Sequence, residues 1–233
     1  MQRRSKIPAR IVAFTGIDGS GKTTLSERLR EYATAQGMAV GYAWCRHESA
    51  SLIFVVKLLK QISQKELAHE INEESYASTK QRLLSKTLVR SLYQLYVFLD
   101  YIVQIKTKLL SKMSKFDVII LDRYILDVVA DVMVECDLDP GQSQNFLRLL
   151  TKNTPKATIT FLVLVPESVS LERKNDIVSR SYIVERLRAY EFLEGIYPSK
   201  RIDGTRPLKA ISTEITTIFN ESIPRFAEKG VRR

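Results

Sequence analysis

The chain has 233 residues, 45% of them hydrophobic and 27% charged, which suits one globular α/β domain with a sizeable core. Its formal charge is +10, but the cations are scattered, with no RGG tract or zinc-finger spacing, so a polyanionic nucleotide explains the field better than nucleic acid. Two cysteines, Cys45 and Cys136, are too few for a disulfide framework and point to a reducing, cytoplasmic setting.

The first ten residues, MQRRSKIPAR, are basic and run into a strand-like segment without a long apolar signal region. Four near-continuous β-branched or aromatic runs read as strands covered on both faces: RIVAFTG (10–16), AVGYAW (39–44), FDVIILD (116–122) and TITFLVLVP (158–166). TTLSERLREYATAQG predicts a helix with Leu25, Leu29, Tyr32 and Ala33 on one face and Gly37 as its C-cap. A second helix is predicted from about Leu83 to Met113, with Leu88, Leu92, Leu95, Leu99, Ile102 and Val103 at helical spacing. Arg90 and Asp100 interrupt its apolar run, so it reads as a long, well-buried helix and not as a membrane span. Strands alternating with helices imply right-handed crossovers and a parallel sheet. With no repeat or linker, residues 1–233 read as one domain.

Chemistry enters at FTGIDGSGKTT (14–24), where Gly16, Gly21, Lys22 and Thr23 fit G-x-x-x-x-G-K-[ST] between a strand and a helix. Glycines let backbone N–H groups converge on phosphate oxygens, and the helix N-terminus adds a favourable partial charge. The residues expected around ATP are Gly16, Asp18, Gly19, Ser20, Gly21, Lys22, Thr23 and Thr24. Lys22 would reach the β- and γ-phosphates, while Thr23 and Asp122, the acid closing FDVIILD, would hold Mg²⁺. Arg123 follows directly, where a second phosphate would account for it. The motif names a donor and not an acceptor. No N-K-x-D occurs, which sets a GTPase aside.

Residues 167–190 carry Arg173, Lys174, Arg180, Arg186 and Arg188 on a mostly helical pattern. Phosphoryl transfer needs two polyanions held in line and the moving charge neutralised, and arginine forks suit that task. Arg173 and Arg180 are read as catalytic cations with Lys22 and Arg123, whereas Arg186 and Arg188 are expected on a solvated helix face. Cys45, His47 and Cys136 lack zinc spacing and are read as packing residues.

FTGIDGSGKTT, then DRY (122–124), PESVSLERK (166–174) and RIDGTRPLKAIS (201–212) together resemble the thymidylate kinase family, in the same order over most of the chain. The resemblance implies a P-loop NTPase-type five-stranded parallel sheet flanked by helices, an arginine-rich lid, ATP and Mg²⁺, and transfer to a nucleoside monophosphate, dTMP to dTDP. It implies that Asp18 contacts the 3′-hydroxyl of the acceptor sugar, and that lid arginines supply the charge some members place at Gly19. Gly204–Pro207 would lie against the donor base, with Arg206 stacking on adenine.

The chain also departs from the family pattern. AWCRHES replaces the usual E-P-G-G-type segment, so Trp44 and Arg46 are candidates for acceptor contacts, with core packing equally open for Trp44. The position expected to carry an acceptor-phosphate arginine falls near Asp100 and Tyr101. Asp127, Asp131 and Val132 replace the usual Ser and Tyr-Gln, and carboxylates there repel a phosphate unless paired or facing a hydroxyl. The acceptor set is then Asp18, Trp44, Arg46, Tyr101, Arg123 and Asp127. Another nucleotide or phosphorylated small metabolite is the alternative acceptor, and a nucleotide-dependent nucleic-acid-binding protein is the alternative class. The apolar surplus of the long helix, with the helix-mediated pairing of the resembling family, predicts a homodimer.

Overall fold

The computed structural model describes residues 9–46, 87–173 and 180–223, without the side chains of Leu88, Leu110 and Ser111. His47, Lys174 and the start of the long helix at 83–86 lie outside the described residues. In chain order the elements are β1 (Arg10–Gly16), α1 (Lys22–Ala35), β2 (Val40–Trp44), α2 (Thr87–Met113), β3 (Val118–Asp122), α3 (Ile125–Cys136) and α4 (Pro140–Asn153). They are followed by β4 (Ile159–Leu164), α5 (Glu167–Arg173), α6 (Arg180–Ile196), β5 (Lys200–Asp203) and α7 (Leu208–Ser222).

The five strands form one parallel sheet in the order β2-β3-β1-β4-β5, flanked by helices on both faces. Alternation along the central strands divides the core. Val12, Phe14, Ile120 and Phe161 face α1 and α7, meeting Leu25, Leu29, Ile215 and Phe219. Ile11, Ala13, Ile119, Leu121 and Leu162 face the other way, toward α2, α3, α4 and α6. β5 is a short edge strand in which only Ile202 is buried. Its sequence, KRID, carries too little apolar signal to stand out beside the four runs.

The long helix forms, but its buried face is not the expected one. Tyr93, Val97, Tyr101, Ile105 and Leu109 enter the core at i, i+4 spacing. Leu92, Leu95, Leu99 and Val103 are each more than half exposed, so the helix is buried along one stripe and not as fully as expected. Both stripes are apolar, so periodicity detects the helix without selecting its inner side.

Gly16 ends β1 with φ near +135°, where a Cβ would lie 2.0 Å from the Val163 carbonyl oxygen. Backbone on both sides leaves that clash no flexible side chain to move. Gly16→Ala should therefore lower unfolding free energy by about 3 kcal/mol or more, read from urea denaturation of parent and variant.

Candidate functional site

β1 and β3 are neighbours in the sheet, yet α1 leaves β1 toward one face and α3 leaves β3 toward the other. Their carboxyl ends therefore form a topological switch point, where a ligand crevice usually lies in open parallel sheets. Residues 16–23 lie on one side of it and Asp122–Arg123 on the other.

In the loop, Gly21 precedes α1 in a left-handed conformation, and no side chain caps the helix. The first amides of α1 consequently face the loop interior with the positive end of the helix dipole behind them. Lys22 is buried and folds its Nζ back onto the Ile17 carbonyl oxygen at 2.5 Å, with Ser20 Oγ at 3.3 Å. Burial, reinforced by the nearby Arg123 charge, pushes the Lys22 ammonium down to about 7.

Across the crevice, Thr23 Oγ1 donates to Asp122 Oδ2 at 2.7 Å, and the Tyr42 hydroxyl donates to the same oxygen at 3.1 Å. A threonine hydroxyl beside a carboxylate is a hard oxygen pair that suits Mg²⁺, which takes few protein ligands and completes its shell with water and phosphate. Among the described residues no cluster of three or more His, Cys, Asp or Glu forms a self-sufficient metal cage. Tyr42 escaped the sequence reading, since nothing local marks its hydroxyl as a partner for Asp122.

Arg123 adopts φ +71°, rare for a non-glycine residue, and its N–H bonds the Phe14 carbonyl at 2.8 Å. Its guanidinium lies between two carboxylates: Nη1 donates to Asp127 Oδ1 at 3.0 Å, and Nη2 is ion-paired with Asp18 Oδ1. Only 7% of the residue is exposed. Burial pushes the Asp18 and Asp127 carboxyls upward, but the neighbouring cations, Arg123 foremost, hold both below the ordinary carboxylate value. Arg46 extends the chain of charges, with Nη1 at 3.9 Å from Asp18 and Nε at 3.5 Å from Asp131. A cavity of about 110 Å³ adjoins it, lined by Arg46, Tyr93, Val97, Asp131 and Glu135 among others.

The remaining candidates divide between near and far. Arg173 reaches the loop, donating to the carbonyls of Gly19 at 3.4 Å and Gly204 at 3.1 Å. Ser170 Oγ donates to the Asp18 carbonyl at 2.7 Å, so α5 braces the same loop. Gly204 must lack a side chain because a Cβ there would come within 2.7 Å of the Ser20 carbonyl oxygen. Thr24 is exposed on the first turn of α1. Arg180 is exposed and paired with Glu167, and Arg206 is exposed and paired with Glu214 at 2.5 Å.

Two expectations are corrected here, and for Trp44 one of two open readings is decided. Tyr101 and Asp127 have no exposed surface, because the first belongs to the core and the second lies under Arg123, so neither offers an acceptor contact. Trp44 is 41% exposed, with Lys108 5.8 Å above its ring, and is not a core residue. Arg186 is fully buried: it is ion-paired with Asp131 and donates to the hydroxyls of Tyr182 at 2.6 Å and Tyr190 at 3.0 Å. The signal missed in the sequence is that spacing, two tyrosines four residues either side of an arginine.

In a comparison with models of known protein families, none matches the chain. Among the described residues no helix is long and apolar enough to cross a membrane.

The lowered Lys22 value has a definite sign in stability. Between pH 7 and the ordinary lysine value of 10.5, the unfolded chain keeps a proton that the folded chain has lost. Stability should therefore rise with pH across that window, by at most about 1.4 kcal/mol per unit from this group. Denaturant unfolding at pH 7, 8 and 9 should show a shallower rise for Lys22→Met than for the parent.

Proposed function

We propose that the protein is an ATP- and Mg²⁺-dependent phosphotransferase of the nucleoside-monophosphate kinase type, with dTMP the first acceptor. The observation that carries this reading is the loop itself: a buried Lys22 held on a backbone carbonyl, within reach of uncapped helix amides and next to the Thr23–Asp122 oxygen pair. A triphosphate entering the loop would offer Lys22 phosphate oxygens in place of the Ile17 carbonyl. Mg²⁺, when bound, supplies neutralisation of the β- and γ-phosphate charge. Thr23 and Asp122 are the residues that would hold it.

On the acceptor side, Arg123 must be won from a carboxylate. Its Nη2 faces Asp18, the more exposed of its two partners. An acceptor phosphate would take that position and release Asp18 to a sugar hydroxyl, the role implied by the resemblance. An acceptor phosphate oxygen then bonds to the γ-phosphorus as the bridging bond to the β-phosphate breaks, and ADP leaves with the electron pair. Arg173, already on the loop at the Gly19 carbonyl, is a cation of its segment that could reach the transferring group.

A second reading keeps the donor and changes the acceptor to another nucleotide or phosphorylated metabolite. It is favoured by the carboxylates of Asp131 and Glu135 around the cavity beside Arg46. Purified protein with ATP and Mg²⁺ should convert dTMP to dTDP in a chromatographic assay, and Lys22→Ala should reduce the rate on the order of 10²–10³-fold. A panel in which another acceptor outruns dTMP would replace the first reading with the second.

We also propose that two copies pair through the outer stripe of α2, since four large aliphatic side chains on one helix face favour burial. Light scattering at micromolar concentration should give the dimer mass for the parent and the monomer mass for Leu95→Glu combined with Leu99→Glu. A monomer mass for the parent refutes the pairing.

A further inference from the structure

Asp127 stands where a carboxylate was expected to disturb an acceptor phosphate, yet its two oxygens take four donors from four places in the fold. Oδ1 accepts from the Gly16 N–H at 3.4 Å, Arg123 Nη1 at 3.0 Å and the Tyr190 hydroxyl at 2.8 Å. Oδ2 accepts from the Tyr124 N–H at 3.0 Å, capping α3. The donors therefore come from the opening of the glycine loop, the residue after β3, the start of α3, and α6. Tyr190 in turn accepts from Arg186 at 3.0 Å, which anchors the hydroxyl from the far side.

Arg123 gives this arrangement its consequence. A non-glycine residue at positive φ persists only where its surroundings over-determine it. Asp127 holds the Arg123 guanidinium with one oxygen and the next backbone amide with the other. Asp127 thus bears on both the conformation and the direction of Arg123, beside the Asp18 carboxylate at Nη2 and the Phe14 carbonyl at its amide.

We infer that Asp127 is a positioning residue that fixes the glycine loop, Arg123 and α6 as one unit, so that a change at α6 is felt at both faces of the crevice. Only the purpose of the unit, the alignment of two substrates, rests on the phosphotransferase reading. The physical connection is independent of it.

Hydrogen exchange of the full chain, read by mass spectrometry, tests the connection without requiring activity. Tyr190→Phe removes one hydroxyl and should speed exchange about tenfold in peptides covering 14–24 and 118–128, with the α4 peptide 140–153 unchanged. Arg188→Ala, on the exposed side of the same helix, should alter neither site peptide. Asp127→Asn should reproduce the pattern more strongly, and adding Tyr190→Phe to it should contribute less than about twofold. Changes confined to 180–196, or a uniform rise in every peptide, overturn the inference; a failure of Asp127→Asn to fold leaves Tyr190→Phe and Arg188→Ala to decide it. Where an acceptor is phosphorylated, the same pair should be non-additive in kcat/KM. Absence of any phosphorylated acceptor counts against the phosphotransferase reading and leaves the exchange result standing.

Discussion

A guanidinium enclosed between two carboxylates, Arg123 between Asp18 and Asp127, ties the two sides of the crevice together. Asp18 belongs to the loop after β1, and Asp127 to the first turn of the helix after β3. Beyond the β1–β3 ladder, which ends before either of them, the two sides are otherwise joined by single hydrogen bonds, from Thr23 to Asp122, from the Gly16 N–H to Asp127 and from the Arg123 N–H to the Phe14 carbonyl. Buried charges are expensive to desolvate, and hydrophobic replacements of similar shape are often as stable. What a hydrophobic substitute could not supply is direction. Fixed donors and acceptors at the Asp127 carboxyl leave few orientations for Arg123, and a site that handles charge needs its cations aimed before the ligand arrives.

The parts of this arrangement differ in how visible they are in the sequence. The strand–loop–helix unit at 10–35 is legible because the glycine spacing, the strand before it and the amphipathic helix after it are all local features. The four hydrophobic strands are legible for the same reason, and β5 is not, because an edge strand buries one side chain and its identity comes from pairing with β4. The inward face of α2 was hidden by redundancy: Tyr93, Val97 and Tyr101 compete with Leu92, Leu95 and Leu99, and only the tertiary arrangement chooses. Arg186 was misread through a bias toward solvent, and Asp127 was read as part of an acceptor pocket when it lies wholly inside the fold. A charged residue on a helix defaults to the surface, and some of the partners that permit burial are remote: Tyr190 lies 63 residues from Asp127, and Asp131 lies on a different helix from Arg186.

Charge matching across the crevice suggests where an incoming polyanion belongs. Arg46, Arg123 and Arg186 each have a carboxylate within ion-pair range, supplied by Asp18, Asp127 and Asp131. An anion arriving there must displace a partner already in place. Burial raises Asp131 despite its two arginines, so even the matched side is finely poised. Lys22 differs. Its hydrogen bonds run to a carbonyl and a hydroxyl, and no carboxylate lies within ion-pair range among the described residues. Such a group is under-compensated when charged, which is why burial brings it near neutrality. A polyphosphate would supply the missing countercharge and draw the proton back onto Lys22, whereas at Arg123 it would first have to break a pair. On the phosphotransferase reading, the electrostatics would order the two halves of the crevice: the loop could take an anion without breaking an ion pair, whereas at Arg123 the anion would have to displace Asp18.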